Sequence, residues 1–364
     1  MRTNNGETLS TRSFIRGIGT AVPEYRYTKA ECLAAFESSE WFGKLSRRSH
    51  VIAKTVLQRD NGIDARRLSV AKLAQVFEID ADVLNERFRL SAPVLASDAA
   101  AKAVRNADLR MADIDAVVVS TCTGYLCPGL TGYVVERLGL RPNVQAYDLV
   151  GQGCAAALPN MQLGRALLAG SDCRNVLSVC VEVSSAAMYL DDDPGVLISA
   201  CLFGDGAGAA VLSREPAPYT RTIEWKDSSS LLVPQQRDAL KFESRRGLLR
   251  NVLTRQVPRL AADNARSVLA TVLDRMGVRQ SEIGAWIMHA GGRDVLQEIE
   301  ARFGLQNEDL SYSAAMLREY GNLSSAFVYF VLAAALQEEA PGGWWWLSSF
   351  GAGFACHGAL LEVS

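Results

Sequence analysis

Residues 113–121, DIDAVVVST, and residues 282–290, EIGAWIMHA, are two versions of one segment, and what flanks them repeats as well. Each follows a helix-like stretch, SDAAAKAVRNADLR before the first and ADNARSVLATVLDRMGV before the second. Around the latter, Leu260, Val268, Leu269, Val272, Leu273 and Met276 recur at three and four, and Gly277 ends the run. From Ser120 it is 34 residues to Cys154; from His289, at the position matching Ser120, it is 33 to Asn322. Both endpoints open apolar helical stretches, CAAALPNMQLGRALLAG and NLSSAFVYFVLAAALQE. A strand follows in each half (NVLSVCVEV, WWWLSSF), then a glycine turn and a last strand (FGDGAGAAVL, FGAGFACHGALL). Five features agreeing in order and spacing imply a duplication. Such a chain is expected to fold as a duplicated α/β core with buried, mainly parallel strands. If a pseudo-twofold axis relates the halves, the starts of equivalent helices face each other, and Cys154, His289 and Asn322 meet at the centre.

Cys154 stands in DLVGQGCAAAL, between a short strand expected to be buried (144–150) and a helix over 155–169. Gly151 and Gly153 permit a tight turn between them. A thiol at a helix N-terminus meets free N–H groups and the helix dipole, which favour the reactive thiolate. Equally, a small buried cysteine can simply fill a helix–sheet gap. The eight cysteines show no zinc or C-x-x-C spacing, so a reducing, cytoplasmic protein with free thiols and no metal is expected. A net charge of −2 supplies no field for nucleic acid or a membrane surface, and no stretch is apolar enough to span a bilayer. There are only three histidines, His50 in a basic helix, His289, and His357 in the last strand, so if Cys154 needs an imidazole partner the choice is short. The tryptophan run 344–346 reads as core. The glycine clusters lack the third glycine of a dinucleotide fingerprint.

G-Q-G-Cys154, LFGDGAGA with Phe203, His289 in HAGG, Asn322 in GNLSSA and the terminal FGAG occur in an order that resembles the type III polyketide synthases. These are chalcone-synthase-like members of the thiolase fold, and the resemblance runs from about Phe14 to Val363. It implies an α/β thiolase fold with duplicated βαβαβαββ-type halves in five αβαβα layers. The division would be an arm over 1–13, a cysteine-bearing half over 14–215, and a half carrying His and Asn over 216–364. By the same resemblance Cys154 carries the acyl chain, His289 and Asn322 complete the catalytic trio, and Phe203 is an aromatic gate. A Cys154–His289 ion pair would be acylated by a starter acyl-CoA. The two hydrogen-bond donors of His289 and Asn322 would stabilise the enolate left by malonyl-CoA decarboxylation. No cofactor is required beyond the coenzyme A thioesters, and a homodimer is expected.

The basic segment 44–67 offers Lys54 and Arg59 to the CoA phosphates, as the resemblance implies. Plant chalcone synthases have Thr-Thr-Ser-Gly where this chain has Thr121-Cys122-Thr123-Gly124; the Cys-Thr-Gly form resembles bacterial members. Cys127, where many relatives place Met, is expected near the dimer interface. Ala187 replaces a larger cavity residue, and the Gly351-Ala-Gly353 loop replaces Gly-Pro-Gly. No counterpart of the second gate phenylalanine is apparent near Asn251. Glu182, Ser184 and Ser324 match positions that hold an aldol-promoting water in relatives. The smaller wall residues, and a C-terminus resembling bacterial alkylresorcinol and alkylpyrone synthases, suggest a long-chain fatty acyl-CoA starter. The rivals are a ketoacyl-ACP synthase III-like condensing enzyme, a type III synthase with a short or aromatic starter, and a non-catalytic thiolase-fold subunit; the last would be expected to lack Cys154 or His289.

Overall fold

The computed structural model describes residues 12–218 and 221–364. The expected arm over 1–13 therefore falls outside the described residues except for its last two, and these are docked. Arg12 pairs with Glu224 at 2.5 Å, and the Ser13 carbonyl accepts from Trp225 N at 2.9 Å.

The first half runs β1 (Phe14–Ala21), β2 (Arg26–Thr28), α1 (Lys29–Ser38), α2 (Glu40–Lys44), α3 (Arg47–Gln58), β3 (Ala65–Arg67), α4 (Ala81–Asn106) and β4 (Ala116–Ser120). It continues with α5 (Leu130–Leu138), β5 (Gln145–Leu149), α6 (Ala157–Gly170), β6 (Asn175–Val183), α7 (Pro194–Leu202) and β7 (Asp205–Ser213). The second half runs β8 (Ile223–Leu232), β9 (Leu240–Arg245), β10 (Leu248–Leu253), α8 (Val257–Met276), β11 (Ile283–Met288) and α9 (Arg293–Phe303). After these come α10 (Ser311–Tyr320), α11 (Phe327–Gln337), β12 (Gly343–Gly351) and β13 (Ala355–Val363).

The strand order β11-β12-β13-β8-β1-β7-β6-β4-β5 repeats itself about its centre. Strand β8 corresponds to β1, β13 to β7, β12 to β6 and β11 to β4, while β5 extends the first half alone. The halves join through Phe14 opposite Glu224. Burial is as expected for most strands, but the expectation of mainly parallel pairing is corrected. Only β4 with β5, β4 with β6 and β11 with β12 run parallel; the other ladders of this sheet are antiparallel. One reason is local: β12 turns into β13 across residues 352–354, far too few for a parallel crossover.

Helix α6 packs on β4, β6 and β7 on one side and on β12 and β13 on the other, while α11 touches β1, β7, β11 and β12. These two helices form the middle layer. Helix α4 covers the outside of the first half and α8 the outside of the second, giving the five layers αβαβα of a thiolase fold. The sequence of α11, FVYFVLAAALQ, is apolar all round because sheet lies on both sides of it. Trp345 and Trp346 are fully buried in β12, as expected of core. A second correction concerns β5. It is an edge strand with Gln145 to Asp148 exposed, because β4 is its only neighbour.

Candidate active site

Cys154 lies in a 3-10 turn, Gly153–Ala155, just ahead of α6. Gly151 (φ 83°) and Gly153 (φ 53°) take the left-handed backbone that lets β5 double back into this turn. The terminal loop supports it from behind. A Cβ on Gly351 would come within 2.5 Å of Ala155 N, and Ser349 Oγ donates to Ala155 O at 2.9 Å. Gly351 thus backs the cysteine turn, whereas a Cβ on Gly353 would meet Leu232 and Ala355; neither glycine lines the cavities of the site.

In the second half Asn322 occupies the corresponding place, one short turn ahead of α11. Its Nδ2 donates to Gly291 O at 2.8 Å, and its Oδ1 accepts from Ser324 N at 2.8 Å. One N–H of the carboxamide is left over. Its backbone clasps the α7–β7 turn: Asn322 N donates to Leu202 O and Gly204 N to Asn322 O, at 2.9 and 3.0 Å. That turn carries Phe203. His289 follows β11 directly, and its ring stands edge-on to Phe350 and Phe327. Both ring nitrogens are buried without a hydrogen-bond partner among the described residues.

Cys154, His289, Asn322 and Phe203 all line one cavity of about 630 Å³. The expected thiolate–imidazolium pair is not formed here. Cys154 Sγ accepts instead from Ser324 Oγ at 3.2 Å. Burial pushes its thiol up to about 12 and pulls the His289 imidazole down to about 3. Loss of water thus opposes the charged form of both groups. A neutral imidazole can still take the thiol proton as sulfur attacks, and can donate its own N–H to a carbonyl.

The cavity mouth carries Arg59, Arg255 and Arg293, with Asp60 and Asp294. Of the two expected CoA-binding residues, only Arg59 is here. Ile52, Thr55, Val56 and Arg59 form the α3 face turned to the cavity, at spacings of three, four and seven. Lys54 lies off that face, which corrects the expectation: its Nζ pairs with Glu37 at 2.6 Å and sits over the Phe42 ring. Arg255 and Arg293 were missed because they stand outside any basic run or motif.

Phe203 also lines a second, inner chamber of about 40 Å³, together with Cys122, Thr123, Ser184, Ala187 and Ser324. It thus stands between the two spaces. Glu182 lies fully buried behind this wall and accepts from Ser325 Oγ at 2.5 Å, Thr123 Oγ1 at 3.0 Å and Cys122 N at 3.0 Å, while Ser324 Oγ, 3.2 Å away, has one proton to give to either Glu182 or Cys154. Burial raises its carboxyl above the ordinary value. The Cys122 thiol reaches Glu182 at 3.4 Å and Ser324 Oγ at 3.4 Å. Ser324 therefore links the wall to Cys154. The Ser184 hydroxyl makes no direct bond to Glu182 and has no partner among the described residues. Cys127 is exposed and is not among the residues lining either space. Asn251 also lines the inner chamber, and of its other residues Phe242, Ser199, Leu68 and Met188 were not foreseen.

Among the described residues no cluster of three or more His, Cys, Asp or Glu could hold a metal, and no helix is long and apolar enough to cross a membrane. The profile described as FAE1/Type III polyketide synthase-like protein matches residues 25–225, and that of chalcone and stilbene synthases, C-terminal domain, matches residues 224–363. The chain is 28% identical over 337 residues to a 3,5-dihydroxyphenylacetyl-CoA synthase of Streptomyces toyocaensis, covering 89% of this chain and 83% of that one. A synthase of the same name from Amycolatopsis orientalis is 29% identical over 332 residues, with 90% and 86% covered. The crystal structure of PKS-I from the brown alga Ectocarpus siliculosus superposes with a TM-score of 0.88 at 26% identity, covering 98% of this chain and 100% of that one. The 1,3,6,8-tetrahydroxynaphthalene synthase of Streptomyces coelicolor shares the fold, with a TM-score of 0.86 at 23% identity over 96% of this chain and 99% of that one. With one matching profile spanning more than half of its length, the chain belongs to the type III polyketide synthases, acyltransferase-type condensing enzymes.

Proposed function

We propose that the protein loads an acyl group from an acyl-CoA onto Cys154, extends it by decarboxylative Claisen condensation with malonyl-CoA, and cyclises the product in the inner chamber. The observation that carries this is the convergence of a thiol, an unpartnered imidazole and a half-used carboxamide on one cavity with a cationic mouth. In loading, Cys154 sulfur attacks the thioester carbonyl, its proton passes to His289, and CoA leaves as the thiol. In extension, the malonyl thioester carbonyl lies against His289 and the free N–H of Asn322. These donors stabilise the enolate formed as carbon dioxide departs. The enolate carbon attacks the Cys154 thioester, a C–C bond replaces the C–S bond, and the longer chain is left on CoA for the next round. Arg59 and Arg255, both exposed and both lining the cavity, suit the CoA phosphates.

For the starter we propose a fatty acyl-CoA, giving an alkylresorcinol or alkylpyrone. The inner chamber shares Leu68, Met188 and Ala200 with a narrow apolar crevice between α1, α3 and α7. A chain on Cys154 keeps its ketide oxygens near the thioester and its starter farthest away. Polar walls followed by apolar walls suit that order. Met188, at the junction, is a side chain that yields easily. A second reading is a small starter and a short product. It is favoured by the size of the chamber, room for about three waters, and by the relatives named 3,5-dihydroxyphenylacetyl-CoA synthase. Acyl-CoAs of graded length with labelled malonyl-CoA separate the two. Preference for long chains supports the first; preference for a short, aromatic or malonyl starter removes it. An absolute need for acyl carrier protein would favour the ketoacyl-ACP synthase alternative instead.

We also propose that the protein acts as a homodimer in the cytoplasm. Exposed Tyr147 and Val150 flank the unpaired edge of β5, and Tyr125 stands on the loop that Thr131 ties to Asp148. An apolar sheet edge of this kind needs a cover, and a second copy supplies one.

A further inference from the structure

No hydrogen bond from the described residues fixes the His289 ring, and two phenylalanine rings flank it, so the aim of its donor N–H falls to packing and to the main chain. That main chain leaves β11, whose only strand neighbour is β12. Successive residues of a strand turn their peptide groups to opposite sides. His289 N turns inward and donates to Ser348 O of β12 at 2.9 Å. The N–H and C=O of Met288 turn outward, to an edge on which no strand of the described residues lies.

In the first half the matching residue is Val119 of β4, and β5 covers that edge, with Asp148 opposite Val119. In the second half one side chain does this instead. Ser313, the third residue of α10, is fully buried. Its Oγ accepts from Met288 N at 3.3 Å and donates to Met288 O at 2.9 Å. This is the two-way exchange that a residue of an antiparallel neighbour would make. The residue so held directly precedes His289. Two residues beyond His289 lies Gly291, whose carbonyl takes Nδ2 of Asn322 at 2.8 Å. Gly291 has little room to shift, since a Cβ there would come within 2.9 Å of Phe350. Residues 288–291 thus carry one donor of the enolate site and the anchor of the other, and Ser313 grips this run where it begins.

We propose that Ser313 is a positioning residue: its hydroxyl takes the place of a fifth strand and sets His289 and Asn322 at the spacing an enolate oxygen needs. This rests on those two residues being the enolate-stabilising pair. The test measures labelled carbon dioxide release from malonyl-CoA by the full chain with Ser313→Ala, Ser313→Thr and Ser313→Cys. Nitrogen-15 imidazole spectra read the three histidines separately, and hydrogen exchange reads the Met288 amide. Ser313→Ala should lower kcat about ten-fold, part of the about 10²-fold that an ångström of misplacement costs. KM for malonyl-CoA should stay within about two-fold, because the lost contact acts on the transition state. The Met288 amide should lose protection, and the His289 ring signals should move while those of His50 and His357 stay. Ser313→Thr keeps the hydroxyl and should restore most of kcat. Ser120→Ala, which removes a buried strand-end hydroxyl from the other half, controls for stability alone.

A wild-type kcat in Ser313→Ala with a wild-type melting curve would overturn the proposal. So would a lower kcat with unmoved His289 signals, an equal loss in Ser120→Ala, or a Met288 amide that exchanges freely in the wild type. If Ser313→Ala does not fold, Ser313→Cys, close in size but a weaker hydrogen-bonding group, decides by the same readouts. A His289→Ala variant that releases carbon dioxide at the wild-type rate would contradict the proposed function. An inactive His289→Ala beside a fully active Ser313→Ala would contradict this inference alone.

Discussion

Ser120 and His289 end equivalent strands in the two halves of the molecule, but their surroundings differ. Ser120 is satisfied by the fold: its hydroxyl reaches Asn160 Oδ1 at 2.6 Å and Leu149 O at 3.0 Å, and the Asn160 amide bonds onward to Val179 O. His289 is walled by two phenylalanines and has both nitrogens unanswered. The same contrast holds between the helix starts, where the second half offers a carboxamide with one N–H to spare and the first offers a thiol. A duplicated scaffold places the groups symmetrically; chemistry arises where one copy leaves polar atoms without internal partners.

Substitutions at the paired positions sharpen this comparison. His289→Ala should cut malonyl-CoA decarboxylation and condensation by about three orders of magnitude, judged by labelled carbon dioxide release. Asn322→Ala should cost about 10²–10³-fold in the same assay, the size of one lost oxyanion donor. Arg59→Glu should raise KM for both CoA substrates by about ten-fold with kcat little changed, whereas Lys54→Glu, on the wrong face of α3, should leave both constants alone. Ser120→Ala should leave activity intact and lower stability by about 1–3 kcal/mol in urea unfolding, because Asn160 loses a buried partner. Equal activity losses from Ser120→Ala and His289→Ala would break the comparison.

A further expectation concerns alkaline pH. Burial pushes the thiols of Cys154, Cys180 and Cys356 up to about 12 and that of Cys201 to about 11, from an ordinary value of 9.0. In this window the folded protein binds more protons than the unfolded chain. Stability should therefore fall as pH rises from about 9 towards 12, and the buried thiols of Cys180, Cys201 and Cys356 should resist alkylation until unfolding. Melting temperatures that hold steady between pH 9 and 11 would contradict this.

Much of this was legible from the repeat. It paired Cys154 with Asn322 and set His289 at a strand end, and the structure brings the three to one cavity. What was not legible depends on three-dimensional context. The apolar pattern of 144–150 does not say that the strand lies at an edge. Lys54 and Arg59 are alike in the sequence, and only the turn of α3 separates them. Helix-start geometry suggested a thiolate at Cys154, but burial, which no local pattern records, opposes it.

The central claim is a division of labour, with Cys154 carrying the chain and His289 and Asn322 making the enolate. Cys154→Ala incubated with labelled malonyl-CoA and an acyl-CoA tests it directly. The account predicts that carbon dioxide is still released while no extended chain forms and no acyl mass appears on the protein. Extended products from Cys154→Ala at the wild-type rate would contradict it.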